Sequence, residues 1–139
     1  MNFDKLTVHA PKLLSILRIV TALMFIEHGT QKLLGFPAAG HPMGALPLQF
    51  MVAGVLEIVG GLMVLLGWFT RPVAFILSGE MAVAYWTFHV PHGGLLPIQN
   101  FGESAALFCF VFLYLVFAGP GEWSLDTMQG REIAGAVRA

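Results

Sequence analysis

The sequence predicts an all-α membrane protein: a bundle of four transmembrane helices with both termini in the cytoplasm. Composition is the first reason. The 139 residues are 57% hydrophobic and only 11% charged, against roughly 45–50% and about 25% in ordinary globular domains. Mean hydropathy is +0.77. The second reason is segmentation: the apolar residues gather into four runs, separated by stretches rich in Gly and Pro. About 20 residues, with a range of about 17–25, are needed to cross the hydrocarbon core. The third reason is the one-sided placement of Lys and Arg.

The first run spans about Leu13–Leu34. It holds Arg18 internally, lacks a small-residue cleavage site and ends in charged residues, so a retained helix is expected rather than a signal peptide. The second spans about Leu48–Trp68. The third, about Pro72–Val90, opens on a proline, which the first helical turn tolerates. The fourth, about Glu103–Ala118, is the shortest and is closed by Gly119-Pro120-Gly121, a strong helix stop. Residues 119–139 are then a short cytoplasmic tail, and the whole chain is one domain.

With the helices alternating in direction, Lys5, Lys12, Arg18, Arg71, Arg131 and Arg138 fall on one side and only Lys32 toward the other. Positive residues favour the cytoplasm, so the predicted location is the inner (cytoplasmic) membrane, with several passes. The net charge of −1 and the absence of a basic run give no reason to expect a nucleic-acid partner. Cys109 is the single cysteine, so neither an internal disulfide nor a C-x-x-C redox motif exists. No haem, flavin or iron–sulfur motif is present either.

Each run carries one glutamate: Glu27, Glu57, Glu80 and Glu103. Counted from the outer helix ends at 1.5 Å per residue, the first three fall roughly 10–15 Å below the outer surface. Glu103 belongs at the outer interface. An ionisable group at such depth costs at least ~2.5–3.5 kcal/mol and by default faces the bundle interior. In the second run Ala53, Gly54, Glu57, Gly60 and Gly61 share one helical stripe, and small residues let helices approach closely. Arg18 should lie deeper than these acids and Lys32 higher, with His28 beside Glu27. No cation is therefore expected at their depth, and a proton shared among the carboxylates, or with His28, is the expected ground state.

Two readings follow. In one, Glu27, His28, Glu57 and Glu80 line a polar pocket opening to the outer side. In the other, the acids only join helices, through hydrogen bonds to backbone, Tyr85, Thr87 or Asn100. A metal site has weak support. Dimetal carboxylate bundles use Glu-x-x-His pairs, whereas Glu27 and His28 are adjacent. His41, His89 and His92 are outer-side candidates of nonspecific spacing. Cys109, within "LFCFVFLYLVF", reads as a packing residue. Trp68, Trp86 and Trp123 suit the interfacial aromatic belt.

Three stretches together resemble the DoxX family of small four-helix membrane proteins: "LRIVTALMFIEHGTQKLLGF", "GVLEIVGGLMVLLGWFTRPVAFIL" and "NFGESAALFCFVFLYLVFAGPGEWSLD". The resemblance covers roughly residues 13 to 127. It rests on the Gly-x-x-Glu-x-x-Gly-Gly element (Gly54, Glu57, Gly60, Gly61), on Asn100-x-Gly102-Glu103, and on the Gly-Pro-Gly-x-Trp-Ser-Leu-Asp segment. It implies the four-helix fold and a link to quinone-dependent redox chemistry, since the family takes its name from a subunit associated with a quinone-linked sulfur oxidoreductase. The matched polar positions are Glu27, Lys32, Glu57, Glu80, Asn100 and Glu103. With His28, they are the candidate ligand-binding or proton-relay residues. The expected protein is a redox-associated membrane subunit, and a candidate part of a quinone-linked oxidoreductase. A quinone is its candidate cofactor, a redox protein its candidate partner, and a homo-oligomer its candidate assembly. The alternative is a non-catalytic small-molecule-binding, metal-binding, transport or membrane-assembly protein.

Overall fold

The computed structural model describes residues 3–38 and 46–130, which form helices and turns with no strand among them. His41, Arg131 and Arg138 lie outside the described residues. Helix α1 (Ala10–Leu34) follows a 3-10 segment (Phe3–His9), carries a proline in its first turn, and ends at Gly35 with φ 67°. Helix α2 (Leu48–Leu66) ends at Gly67 with φ 66°. The left-handed backbone at these two glycines turns their N–H groups back onto the last carbonyls of each helix.

Helix α3 (Thr70–Gly93) includes a π-helical stretch, Tyr85–His89. A single turn, α4 (Pro97–Asn100), precedes α5 (Glu103–Ala118), and another, α6 (Leu125–Met128), follows it. Among the described residues, three helices are long and apolar enough to cross a membrane: Lys5–Leu34 (including most of the 3-10 segment), α2 and α3. Helix α5 is apolar but has only 16 residues.

The long helices pack as two antiparallel pairs, α1 on α2 and α3 on α5, with thinner contact between the pairs. Glycine sets the first pairing. A Cβ at Gly29 would meet Gly54 O at 2.8 Å and Ile58 Cγ1 at 2.7 Å, so any larger residue pushes the two backbones apart. Between the pairs, Leu77 of α3 packs against Gly60 of α2. The core includes Ala22, Phe25, Val64, Leu77, Phe108, Phe112 and Leu115. Phe25 meets Phe108 and Phe112 edge-on, with centroids 5.2 and 4.8 Å apart, a preferred aromatic geometry. The outward faces carry large apolar residues such as Val55, Val59, Phe75 and Phe110. A soluble monomer rarely exposes apolar surface so continuously.

Arg18 explains how a cation sits inside this bundle. It is fully buried, and its guanidinium donates to the carbonyls of Val64 and Leu65 at the end of α2 and of Pro120 and Trp123 beyond α5. A cation is favourable at a helix C-terminus, where carbonyls lack partners. Arg71 does the same for Val116 and Phe117 at the end of α5. The Asp126 carboxylate accepts from the N–H groups of Phe69 and Thr70 at the start of α3.

The segment read from sequence as a tail is therefore, through residue 130, folded onto the bundle. Glu122 N–H donates to Pro11 O, and Asp126 N–H to Gly67 O. The Gly-Pro-Gly-x-Trp-Ser-Leu-Asp motif ties three helix ends together.

Candidate functional site

Packing register brings the buried acids to one level. Glu57 lies nine residues before the end of α2 at Leu66, and Glu80 ten residues after the start of α3 at Thr70. Both are thus about 13–15 Å from the end of the bundle near the termini. Gly29 of α1 faces Glu57 Cβ across the closest helix contact. Between the two helix pairs at this level is a cavity of about 750 Å³. Its polar lining comes from His28 and Lys32 of α1, Gln49 and Glu57 of α2, Glu80, Thr87 and His89 of α3, and Ser104 of α5. The rings of Phe25, Phe50, Phe88 and Phe108 supply much of the remaining wall.

The electrostatics differ from the expectation of unpaired acids. The Lys32 ammonium forms an ion pair with Glu57 Oε1. A helical side chain leans toward the N-terminus of its own helix, and a lysine stem is long enough to span the three residues separating Lys32 from Gly29. The cation thus comes down to the acid's level. Glu57 is 1% exposed, and its second oxygen has no hydrogen-bond partner among the described residues. Glu80 is more isolated: both of its carboxylate oxygens are buried with no partner among those residues. Buried polar atoms are nearly always paired, so each exception calls for a cause.

The histidines are oriented by backbone. His28 Nδ1 lies 2.9 Å from Met24 O, and His89 Nδ1 lies 3.0 Å from Asn100 O. A carbonyl only accepts, so Nδ1 carries the hydrogen in both rings, and the neutral ring keeps Nε2 as an acceptor.

The other sequence candidates sit elsewhere. Glu27 is exposed on the outer surface of α1, not in the cavity. Neighbouring side chains on a helix diverge by about 100°, and His28 takes the inward position. Glu103 is exposed at the first turn of α5. Asn100 is buried in the connection before α5, bonded to Gly94 O and Gly102 N–H. His92 is exposed, with Nδ1 against Phe88 O. No group of three or more His, Cys, Asp or Glu is placed to hold a metal ion among the described residues.

Sequence reasoning passed over Gln49 and Ser104, which also line the cavity. The inward set Arg18, Ala22, Phe25, Gly29 and Lys32 repeats every three or four residues. That period was the available signal for Lys32.

Apolar helices wide enough to span, exposed apolar outer faces and acids buried around an internal cavity define a polytopic membrane protein with an ionisable interior. Within that class the family is settled by similarity: the DoxX family model matches residues 13–90, and the chain belongs to the DoxX family.

An uncharacterized protein of Haemophilus influenzae is 49% identical, over 90% of this chain and 94% of its own length. Inner membrane protein YphA of Escherichia coli is 32% identical, over 84% of this chain and 89% of its own. Inner membrane protein YqjF of the same bacterium is 29% identical, over 84% and 92%. No solved structure matches the chain. The chain is accordingly a multi-pass inner-membrane protein.

Proposed function

We propose that this DoxX protein is a redox-associated membrane subunit that takes a quinone-class molecule from the bilayer into the cavity between its helix pairs. The observation that carries the proposal is Glu80, whose two buried oxygens have no partner among the described residues and which lines a cavity with aromatic walls. A quinone–quinol pair supplies the electron chemistry when bound, and the electrons pass to or from a partner protein. The chain's own groups handle protons. Glu80 accepts or returns one at the ligand, Glu57 stands at the same level, and Lys32 holds Glu57 in place. Acid–base groups work best when their affinity for protons suits the ambient pH, and a buried carboxylate is open to such tuning.

The route of entry follows from exposure. Val52 and Leu56 of α2, with Ile76 and Val83 of α3, line the cavity and also reach the outer surface of the bundle. The seam between α2 and α3 is therefore an apolar mouth facing lipid. We further read α5 as the fourth span, with both termini cytoplasmic. Lys5, Lys12, Arg18 and Arg71 gather at the terminal end, whereas Lys32 sits toward the other.

A titration tests the reading. The purified protein in nanodiscs is mixed with a short-chain ubiquinone and followed by tryptophan quenching. Saturable quenching is expected, weakened at least tenfold by Ala53→Phe, which narrows the cavity beside Glu57 without adding a tryptophan to the signal. Quenching that is linear, or unchanged by Ala53→Phe, would refute the proposal.

A further inference from the structure

We propose that residues 94–102, between α3 and α5, form a re-entrant loop seated among the lipids of the outer leaflet rather than in water. The inference rests on reading α5 as a span. Three pairings fix the register of α3 against α5. Arg71 donates to the carbonyls of Val116 and Phe117, Ser78 Oγ donates to Cys109 O at 2.9 Å, and Gly102 closes onto Tyr85, where a Cβ would lie 2.8 Å from the ring. The start of α5 is therefore level with about residue 85 of α3. Sixteen helical residues reach about 24 Å, against a hydrocarbon core of about 30 Å. The missing ~6 Å is covered on one side by the rest of α3, and on the other by the loop folded against it.

The surface of the loop suits that depth. Leu95, Ile98 and Phe101 are 67%, 71% and 85% exposed, and Leu96 is exposed beside them. Trp86, on the stretch of α3 beside the loop, is exposed as well. A connection meant for water has no reason to present four large apolar side chains in seven residues, and the register that sets the loop level with residues 85–93 of α3 identifies lipid as what covers it.

Part of the backbone meets a stricter requirement. Irregular chain at membrane depth is tolerated where it is buried in protein, and five carbonyls of the loop find donors there. Tyr85 Oη donates to Leu95 O at 2.7 Å, and Asn100 Nδ2 donates to Gly94 O at 2.7 Å. Asn100 Oδ1 accepts from Gly102 N–H at 2.8 Å, and His89 Nδ1–H donates to Asn100 O. Leu96 O accepts from the N–H groups of Gln99 and Asn100, and Pro97 O shares the N–H of Gly102. Asn100 is thereby the organising residue of an intramembrane turn, and Tyr85 and His89 are its supports on α3.

Nitroxide scanning tests this in the full chain with Cys109→Ala as background. Leu96→Cys, Ile98→Cys and Phe101→Cys are labelled in vesicles of phosphatidylethanolamine and phosphatidylglycerol. Collisions with oxygen and with a water-soluble nickel chelate are then compared. The loop labels are expected to resemble Phe110→Cys on the outer face of α5, with oxygen several-fold more effective than the chelate. Adding Asn100→Ala is expected to raise chelate collisions at residue 98 several-fold. Loop labels as open to the chelate as Ala38→Cys, with Phe110→Cys still protected, would overturn the loop proposal alone. A label at Phe110→Cys open to the chelate would overturn the reading of α5 as a span, and the loop proposal with it.

Discussion

Glu57 and Glu80 sit at one level of the bundle, yet replacing each by methionine is expected to move stability in opposite directions. Methionine is close to glutamate in volume and carries no group that needs a hydrogen bond. At Glu80 the substitution removes two buried oxygens that have no partner among the described residues. An unsatisfied buried polar group costs about 1–3 kcal/mol. Counting only one of the two oxygens, Glu80→Met should stabilise the ligand-free protein by about 1–3 kcal/mol.

At Glu57 the same change strands the Lys32 ammonium, whose side chain keeps 27% of its surface exposed while that of Glu57 keeps 2%. Breaking a buried pair costs about 3–5 kcal/mol. The partial exposure of Lys32 places Glu57→Met near the lower end, about 3 kcal/mol destabilised. At roughly 2–4 °C per kcal/mol for a chain of this size, the two variants should melt on opposite sides of the parent, separated by on the order of 10 °C. Melting in mild detergent, followed by near-UV circular dichroism after lipid and ligand have been stripped, measures this directly. If Glu80→Met melts as early as Glu57→Met, Glu80 is a structural bonding group and the reasoning fails.

Two further outcomes follow from the packing. Gly29→Leu places a side chain where a Cβ alone already meets Gly54 O at 2.8 Å. It should cost about 1–3 kcal/mol as overpacking, and double electron–electron resonance between labels on α1 and α2 should show the helices further apart. Arg18→Met leaves four carbonyls at the ends of α2 and α5 without their donor. The tail should detach first, so limited proteolysis should cleave between residues 119 and 130 several-fold faster than in the parent, before the bundle itself unfolds.

Much of the fold was legible because hydrophobic length is a strong signal. Helix α5 occupies the same Glu103–Ala118 foreseen from its apolar run and the Gly-Pro-Gly stop, and α2 begins at the Leu48 foreseen. The ends depended on local chemistry instead. Gly67 adopts the left-handed region and halts α2 at Leu66, short of Trp68. Helix α3 runs on to Gly93, past the expected end near Val90, through a π-helical stretch.

The site was only partly legible, since depth can be counted from sequence but facing cannot. Glu57 was placed inward by the small-residue stripe around it, and it is buried. Glu27 shares its depth but lies on the outer side of α1, because Gly29 and Phe25 take the packed face. The partner of Glu57 was missed because a lysine one turn higher was taken to stay at its own level. The role of Arg18 was hidden for a different reason: its acceptors at Pro120 and Trp123 are about a hundred residues away, and they are main-chain atoms with no side-chain signature.

The most direct test of the account is native mass spectrometry of the protein, purified from its own membrane in mild detergent, alongside Ala53→Trp. The account predicts a mass adduct of quinone size on the parent, released on activation as an intact quinone and absent from the folded Ala53→Trp variant. A parent protein carrying only phospholipid, or an adduct that persists when the cavity is filled, would contradict it.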